Sequence, residues 1–510
     1  MTMNSSGPIS LGGATTGQSI NLEIGSPATS TVSLNDTIVR TLAGVVSGQI
    51  VMPTDFYGKS ISNSYFQVFT SPSLSTGFGN YLTFDPAGNY FVRGNNVDVF
   101  CDSTGNITSS KIYSAVPAPI TTANYWSTKQ INNISEINSN NLIMAGNTIS
   151  TNNPTQTRTR GTIGVFTNST NTFVSKTWRY TSASPNPPGN TSNAAIVSAK
   201  DFPNGNIVGF FGASGTSGAG GLVTFDSSLN QLSFQGIPGG SNTGAGFGAG
   251  IIKKGSPTVS WVDFASRIIP VGVTTYYTAF LNSSTGAVTN AWQYTSNATA
   301  GLGSSALTYS PTTSVIMQFG GSPNPKQIVG RINNSPLSYT HQKQFSSGGG
   351  IPTGVNTRYS NSDNFSTSNK LATCVQYSAP GANTVYLCDI DNTLTINNRL
   401  VVTCNGTAAG TINHIVYKDG FCYLTGSYSL YTFLLKIPED FSTITSGLTA
   451  TAGGLTLTLT PSADPGFLNL VPASLSISSI SLSPLTFSLT GTPNDFTYTS
   501  GAITSNKVTV

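Results

Sequence analysis

Charge is the scarcest property of this chain. Lys and Arg number 22 and Asp and Glu 18, so charged residues make up 8% of 510, against about a quarter in ordinary soluble domains. Disorder normally pairs high charge with low hydrophobicity. Here the hydrophobic fraction is 37%, so the chain has the material for a large core. The net charge of +4 is spread thinly. No basic cluster tracks a nucleic-acid backbone, and the pair Lys253 and Lys254 reads as a solvated patch. Histidine is nearly absent. His341 and His414 stand alone in "YTHQKQ" and "INHIVY", which excludes a His-rich metal site and places neither beside a nucleophile motif. Five cysteines, Cys101, Cys374, Cys388, Cys404 and Cys422, form no CxxC pair and read as free core thiols. No apolar run reaches the ~18 residues of a membrane helix. The opening "MTMNSSGP" lacks the basic and apolar regions of a signal peptide, so no secretory leader is expected. Triplets such as Asn106-Ile107-Thr108 then follow from composition alone.

Ser, Thr, Asn and Gly replace charge, with Tyr and Phe abundant. This mixture favours strands and turns, and points to an all-β fold. Residues 1–60 form a first module. In "SINLEIG", Ile20, Leu22 and Ile24 alternate with polar residues, the pattern of a half-buried strand. Ser33 and Asp36 resemble a capping box, and Leu34, Ile38 and Leu42 share a helical face, predicting a short helix over 34–43. A brief strand and a turn over 55–58 follow, with Phe56 and Tyr57 as packing anchors. The run "GGATTG" is no phosphate loop: it lacks the Lys-Ser/Thr pair and precedes a strand.

These residues carry a resemblance. "GPISLGGATTGQSINLEIG", "SLNDTIVRTLAGV" and the closing "FYGKS" resemble an N-terminal segment found on structural proteins of tailed bacteriophages, mostly tail and tail-fibre proteins. The match covers residues 8–60, about a tenth of the chain. It implies a virion component with 1–60 as its attachment module, but no particular place in the particle, because the segment looks portable; the phage tail, assembled in the host cytoplasm, is the expected location. The implied partners are other virion proteins, further copies of the chain, and host surface glycan, with no nucleic acid and no membrane insertion. Ile20, Leu22, Leu34, Ile38, Leu42, Phe56 and Tyr57 are the candidate assembly interface. Their alternative role is the module's own core.

The middle, 61–445, repeats a phrase of two apolar strands and an Asp/Asn turn, often continuing into an aromatic strand. Seven copies are marked by Phe100, Phe166, Phe225, Phe280, Ile332, Ile390 and Ile437, spaced 47 to 66 residues apart. Hairpin repeats of that length are the signature of a β-propeller, so seven blades are expected. A sandwich array or β-helix would show shorter periods. Three Gly-rich stretches, 212–221, 237–250 and 346–354, read as surface loops able to face a sugar or a neighbour. Residues 446–510 alternate Leu with Thr and Ser, and read as a small β-domain or arm, or as a closing strand of the propeller.

Catalysis is not expected. Asp102, Asp226 and Asp391 fall in the repeated turn and read as turn-shaping residues. "DID" at 389–391 lacks the Gly and distal Glu of a calcium loop. No cofactor is expected. The alternative functions are a tail-borne glycan depolymerase, which needs only two suitably separated carboxylates, and a decoration or cement protein.

Overall fold

The computed structural model describes residues between 3 and 509, mainly the helices, strands and short turns. Connections such as 71–80, 115–132, 182–192, 237–250, 346–355 and 359–370 lie outside the described residues. The chain divides into two compact units. One comprises Met1–Tyr65 with Thr509–Val510, the other Phe66–Val508.

The first unit is built on apolar packing around two short helices. Residues 20–24 do not form the expected strand. They form the helix Ile20–Glu23, which Ser19 caps by accepting the Leu22 N–H. The alternation misled because the polar positions are not on a wet face. Asn21 and Glu23 are as buried as Ile20, so period 2 here marks no amphipathic sheet. Backbone bonds from Ile20 N to Ser10 O and from Asn21 N to Leu11 O tie the helix to the preceding loop. Asn21 Nδ2 donates to Ser30 O at 2.7 Å and pins the loop beyond it. The second helix runs Thr37–Ala43, three residues shorter than the pattern predicts. Asp36 accepts the Ser33 N–H at 2.8 Å, and Arg40 N bonds Asp36 O. The bond from Ser33 N–H to Asp36 is the one a capping box between these two residues makes, Ser33 Oγ accepts from Asn35 N, and residues 33–36 form a turn ahead of the helix. Met3, Ile20, Ile24, Val39, Leu42, Ala43, Ile50 and Phe56 form one core, with Leu34 and Met52 packed against it.

The second unit contains seven antiparallel-rich sheets, numbered I to VII in chain order. Sheet I begins with Tyr81–Phe84, Tyr90–Arg93, Val97–Cys101 and Ile107–Ser114. Sheets II to VI repeat the same four-strand meander. Their fourth strands are Thr172–Thr181, Gln231–Gly236, Val288–Ser296, Leu337–Phe345 and Ile396–Cys404. Sheet VII supplies only Thr411–Lys418, Phe421–Tyr428 and Tyr431–Pro438 from its own stretch. Its fourth strand is Tyr65–Thr70, from the start of the unit. The seven sequence markers, Phe100 to Ile437, all lie in third strands.

Consecutive sheets touch through their first strands. Tyr81–Phe84 contacts Asn133–Asn138 of sheet II, and Asn193–Asp201 of sheet III contacts Ile251–Lys253 of sheet IV. Thr411–Lys418 of sheet VII contacts Tyr81–Phe84, so the last sheet in the chain adjoins the first.

The C-terminal segment is neither a separate domain nor an arm among the described residues. It is dealt out one strand per sheet, in reverse order. Leu455–Pro461 adds to sheet VI, Leu470–Pro472 to V, Leu475–Ile480 to IV, Ser483–Pro484 to III, Ser488–Asn494 to II, Thr497–Ser500 to I and Thr504–Thr509 to VII. Each pairs with the fourth strand of its sheet. Sheet VI alone gains a further edge strand, Leu448–Ala452. Sequence pattern identified these strands as strands. It carried no sign of their partners, because partners hundreds of residues away leave no local period.

Candidate functional site

The repeated turn joins the third strand of a sheet to the fourth. Asp102 shows its construction. Gly105 N–H donates to the Asp102 carbonyl, closing the turn, and Asp102 N–H donates to Asn106 O. The Asp102 side chain fills the turn's interior. Its Oδ1 accepts from Thr104 N, Thr104 Oγ1 and Asn106 N at 2.7 to 2.9 Å, and Oδ2 accepts from Asn106 Nδ2. Asp226 repeats this with Ser228 and Asn230. Asp391 repeats it with Thr393 and Thr395. Asn282 makes a version one residue longer, with Gly286 N–H on its carbonyl.

A register shift falls immediately before the turn in five sheets, at Phe100/Cys101, Thr224/Phe225, Phe280/Leu281, Arg331/Ile332 and Asp389/Ile390. A turn closed over three residues, with a left-handed residue and a bulge, is a common hairpin solution. The left-handed residue is Gly105 at φ +97° in sheet I, but Leu229 at +61° in sheet III and Leu394 at +59° in sheet VI.

The turns are also where neighbouring sheets are fastened. A polar side chain from the fourth strand of one sheet reaches the turn of the next. Gln67 Nε2 donates to Gly105 O at 2.7 Å. Lys176 Nζ donates to Leu229 O and Asn230 Oδ1. Ser233 Oγ donates to Gly286 O at 3.0 Å. Lys343 Nζ donates to Thr395 Oγ1 at 3.0 Å. A Cβ at Gly286 would strike the Ser233 and Thr224 side chains, so that turn is pressed against the preceding sheet.

This geometry decides what the carboxylates can do. Burial alone would raise their pKa. The hydrogen bonds from the turn outweigh it and hold Asp102, Asp226 and Asp391 below the ordinary carboxylate range. A general acid needs the opposite shift. Each carboxylate also accepts three or more hydrogen bonds from its own turn. Among the described residues, no group of three or more His, Cys, Asp or Glu is placed to hold a metal. His414 lies buried in sheet VII, opposite Thr425; nothing is described of the His341 side chain. Burial pushes the thiols of Cys101 and Cys404 up to about 12. Cys422 is raised well above 9.0 by burial, then by Asp389 and Glu439. A thiol so disfavoured as thiolate is a poor nucleophile. Cys101, Cys388, Cys404 and Cys422 are buried and form no disulfide.

The candidate assembly residues fall into two groups. Ile20, Leu42 and Phe56 are fully buried in the first unit's own core, and Leu34 packs against it. Leu22 is half-buried, and Tyr57 is half-buried with its hydroxyl on Gly7 O at 2.8 Å. The Ile38 side chain lies outside the described residues. Leu22, Leu34 and Tyr57 are therefore the three of the seven, among the described side chains, with surface still to offer. The Gly-rich segments 215–220, 237–250 and 346–354 lie outside the described residues. The inter-sheet fastenings escaped sequence reading because a Gln, Lys or Ser in a strand looks like any solvated position until the neighbour is placed.

No family model and no curated protein matches this chain. Among solved structures, the WD40 domain of SCAP from fission yeast is similar over 73% of this chain and 98% of that one. The identity is 7% and the TM-score 0.34.

Proposed function

We propose that this chain is a non-enzymatic structural component of a phage virion, of the tail or tail-fibre kind. In this reading the first unit attaches to the particle, and the seven sheets form a seven-bladed β-propeller, a rigid body for host-surface binding or tail decoration. The observation that carries the role is the segment "ISLGGATTGQSINLE" to "FYGKS" over residues 8–60. It coincides with a unit that has its own apolar core and ends at Tyr65. The propeller reading is supported by seven like sheets in chain order and by the contact that returns from sheet VII to sheet I. Closing such a ring with a strand from the other end of the chain is a device that protects edges. The non-enzymatic reading is supported by three turn carboxylates that bonds within their own turns hold in the ionised form.

A variant lacking residues 1–60 tests the role. It is expected to keep its β-rich circular dichroism and to be absent from purified particles. Normal incorporation would overturn the attachment reading. Release of reducing sugar from host envelope by the purified chain would overturn the non-enzymatic one.

A further inference from the structure

Asn-Gly occurs twice in the sequence, at Asn204–Gly205 and Asn405–Gly406. In such a pair the backbone nitrogen of the glycine can attack the side-chain amide of the asparagine, and no Cβ stands in the way. The two sites differ in how that amide is held. Asn204 is exposed, in the hairpin between Asn193–Asp201 and Ile207–Ser214 of sheet III. Its Oδ1 accepts from Asn206 N at 3.2 Å. That bond closes a short ring through the Asn204 side chain and the Gly205 peptide, so it folds Cγ back toward the Gly205 nitrogen. The space beside Gly205, at φ +84°, is open. Asn405 is exposed too, but its Oδ1 accepts from Thr456 N at 2.8 Å, on the strand Leu455–Pro461. Its own N–H donates to Thr456 O, so its amide is aimed at that strand and not at Gly406. Asn282, in the turn of sheet IV, separates geometry from sequence. Its Oδ1 accepts from Ser284 N at 2.9 Å, the same bond as at Asn204, but Ser283 follows it.

We propose that Asn204 is a self-modification site, which deamidates in the folded chain ahead of Asn405 and Asn282. Gly205 N attacks Asn204 Cγ. The new C–N bond forms, the bond from Cγ to Nδ2 breaks, and Nδ2 leaves as ammonia with the Gly205 proton. The product is a cyclic imide. Solvent water opens it at either carbonyl and leaves aspartate or isoaspartate, one water consumed for each ammonia released. Two features carry the assignment. A nucleophile and its target held together by the fold react as one molecule. The Asn206 N–H already sits on the oxygen where negative charge develops, the place where a fixed donor lowers an acyl-transfer barrier. Of the three sites, Asn204 alone combines the glycine with that donor. The change also reaches the neighbouring sheet. Asn206 Nδ2 donates to Ser284 O at 3.4 Å, and isoaspartate adds one carbon to the main chain beside that contact. The proposal rests on this local geometry and not on the virion role.

Peptide mapping by mass spectrometry on the full-length chain, aged in mildly alkaline buffer, tests this. Asn204 is expected to convert at least about tenfold faster than Asn405 or Asn282. In urea-unfolded chain the gap between Asn204 and Asn405 is expected to close, because both are then plain Asn-Gly. The variant Ser283→Gly is expected to quicken conversion at Asn282 by about tenfold in the folded chain. Equal rates at Asn204 and Asn405 in the folded chain would overturn the proposal. So would a gap that persists in urea, or an Asn282 that stays slow in Ser283→Gly. If that variant fails to fold, the folded and unfolded wild-type rates decide alone.

Discussion

Sheets I and III carry the same turn with different residues at its hardest position. Both close an Asp side chain over its own loop, and both need a left-handed residue four places in. Sheet I uses Gly105. Sheet III uses Leu229, fully buried. A left-handed L-residue costs about 1–2 kcal/mol, and burying a leucine returns about 1.5–3 kcal/mol. The leucine is therefore affordable wherever the loop folds over an apolar pocket. At Gly105 there is no such pocket: a Cβ would lie 3.0 Å from Tyr90 Oη and 3.3 Å from both Gln67 Oε1 and Lys507 Cδ. One backbone thus tolerates opposite side chains, and the neighbour decides between them.

The largest effect is expected at the buried leucines. Leu229→Ala or Leu394→Ala should lose about 2–5 kcal/mol, read from urea midpoints, since the cavity adds to the lost transfer energy. Leu229→Gly sharpens the point. Glycine normally destabilises relative to alanine, but at this φ it should be the less damaging of the two by about 1 kcal/mol. A larger loss for Gly than for Ala would show that the conformation is not strained. Gly105→Ala should cost about 1–3 kcal/mol, from left-handed strain and the displaced Gln67 and Tyr90.

Smaller effects separate the Asp from the residue it supports. Asp226→Ala removes the acceptor of three hydrogen bonds and should lose about 1–2 kcal/mol. The three turn carboxyls also set an acid limb. Their folded pKa is depressed, so their contribution is fully present above the unfolded value, about 3.9. It is lost as pH falls through the lower folded values, because the unfolded chain then binds more protons. Asp226→Asn should lower stability at pH 7, where the ionised carboxylate contributes in full, and flatten the fall below about pH 4; an unaltered acid limb would show that the depression is absent. Lys176→Met should be smallest, under about 1 kcal/mol, because the contact of a half-buried Lys at the rim of a turn is weak.

The Asp turns were the most legible part of this molecule. Asp at the first position with Gly or Asn after it has a local cause, so seven markers located seven third strands. The first strand of each sheet went unread, since residues such as 133–138 and 304–310 are short, polar and separated from the marker by another strand. Ile20–Glu23 was misread because Asn21 and Glu23 are both buried, and the contacts that hold Asn21 come from the neighbouring loops at Gly12 and Ser30, not from the four residues themselves. The destination of 455–509 was not legible at all. Its Leu-Thr alternation fixes which side faces inward, but seven outer edges with similar alternation were available. Only the short connectors, read together with the finished sheets, determine the order.

The two strands at the meeting point in sheet VII also set a clock. Gln67 and Ser505 are bonded across a separation of 438 residues. At about 5–20 residues per second of synthesis, Tyr65–Thr70 waits on the order of 20–90 s for the strand that covers its outer edge. Throughout that interval the outer edge of this strand lacks the strand that covers it. Its fate in that window, held by its own sheet VII neighbour or captured by another nascent copy, is a matter of supply rate as much as of affinity.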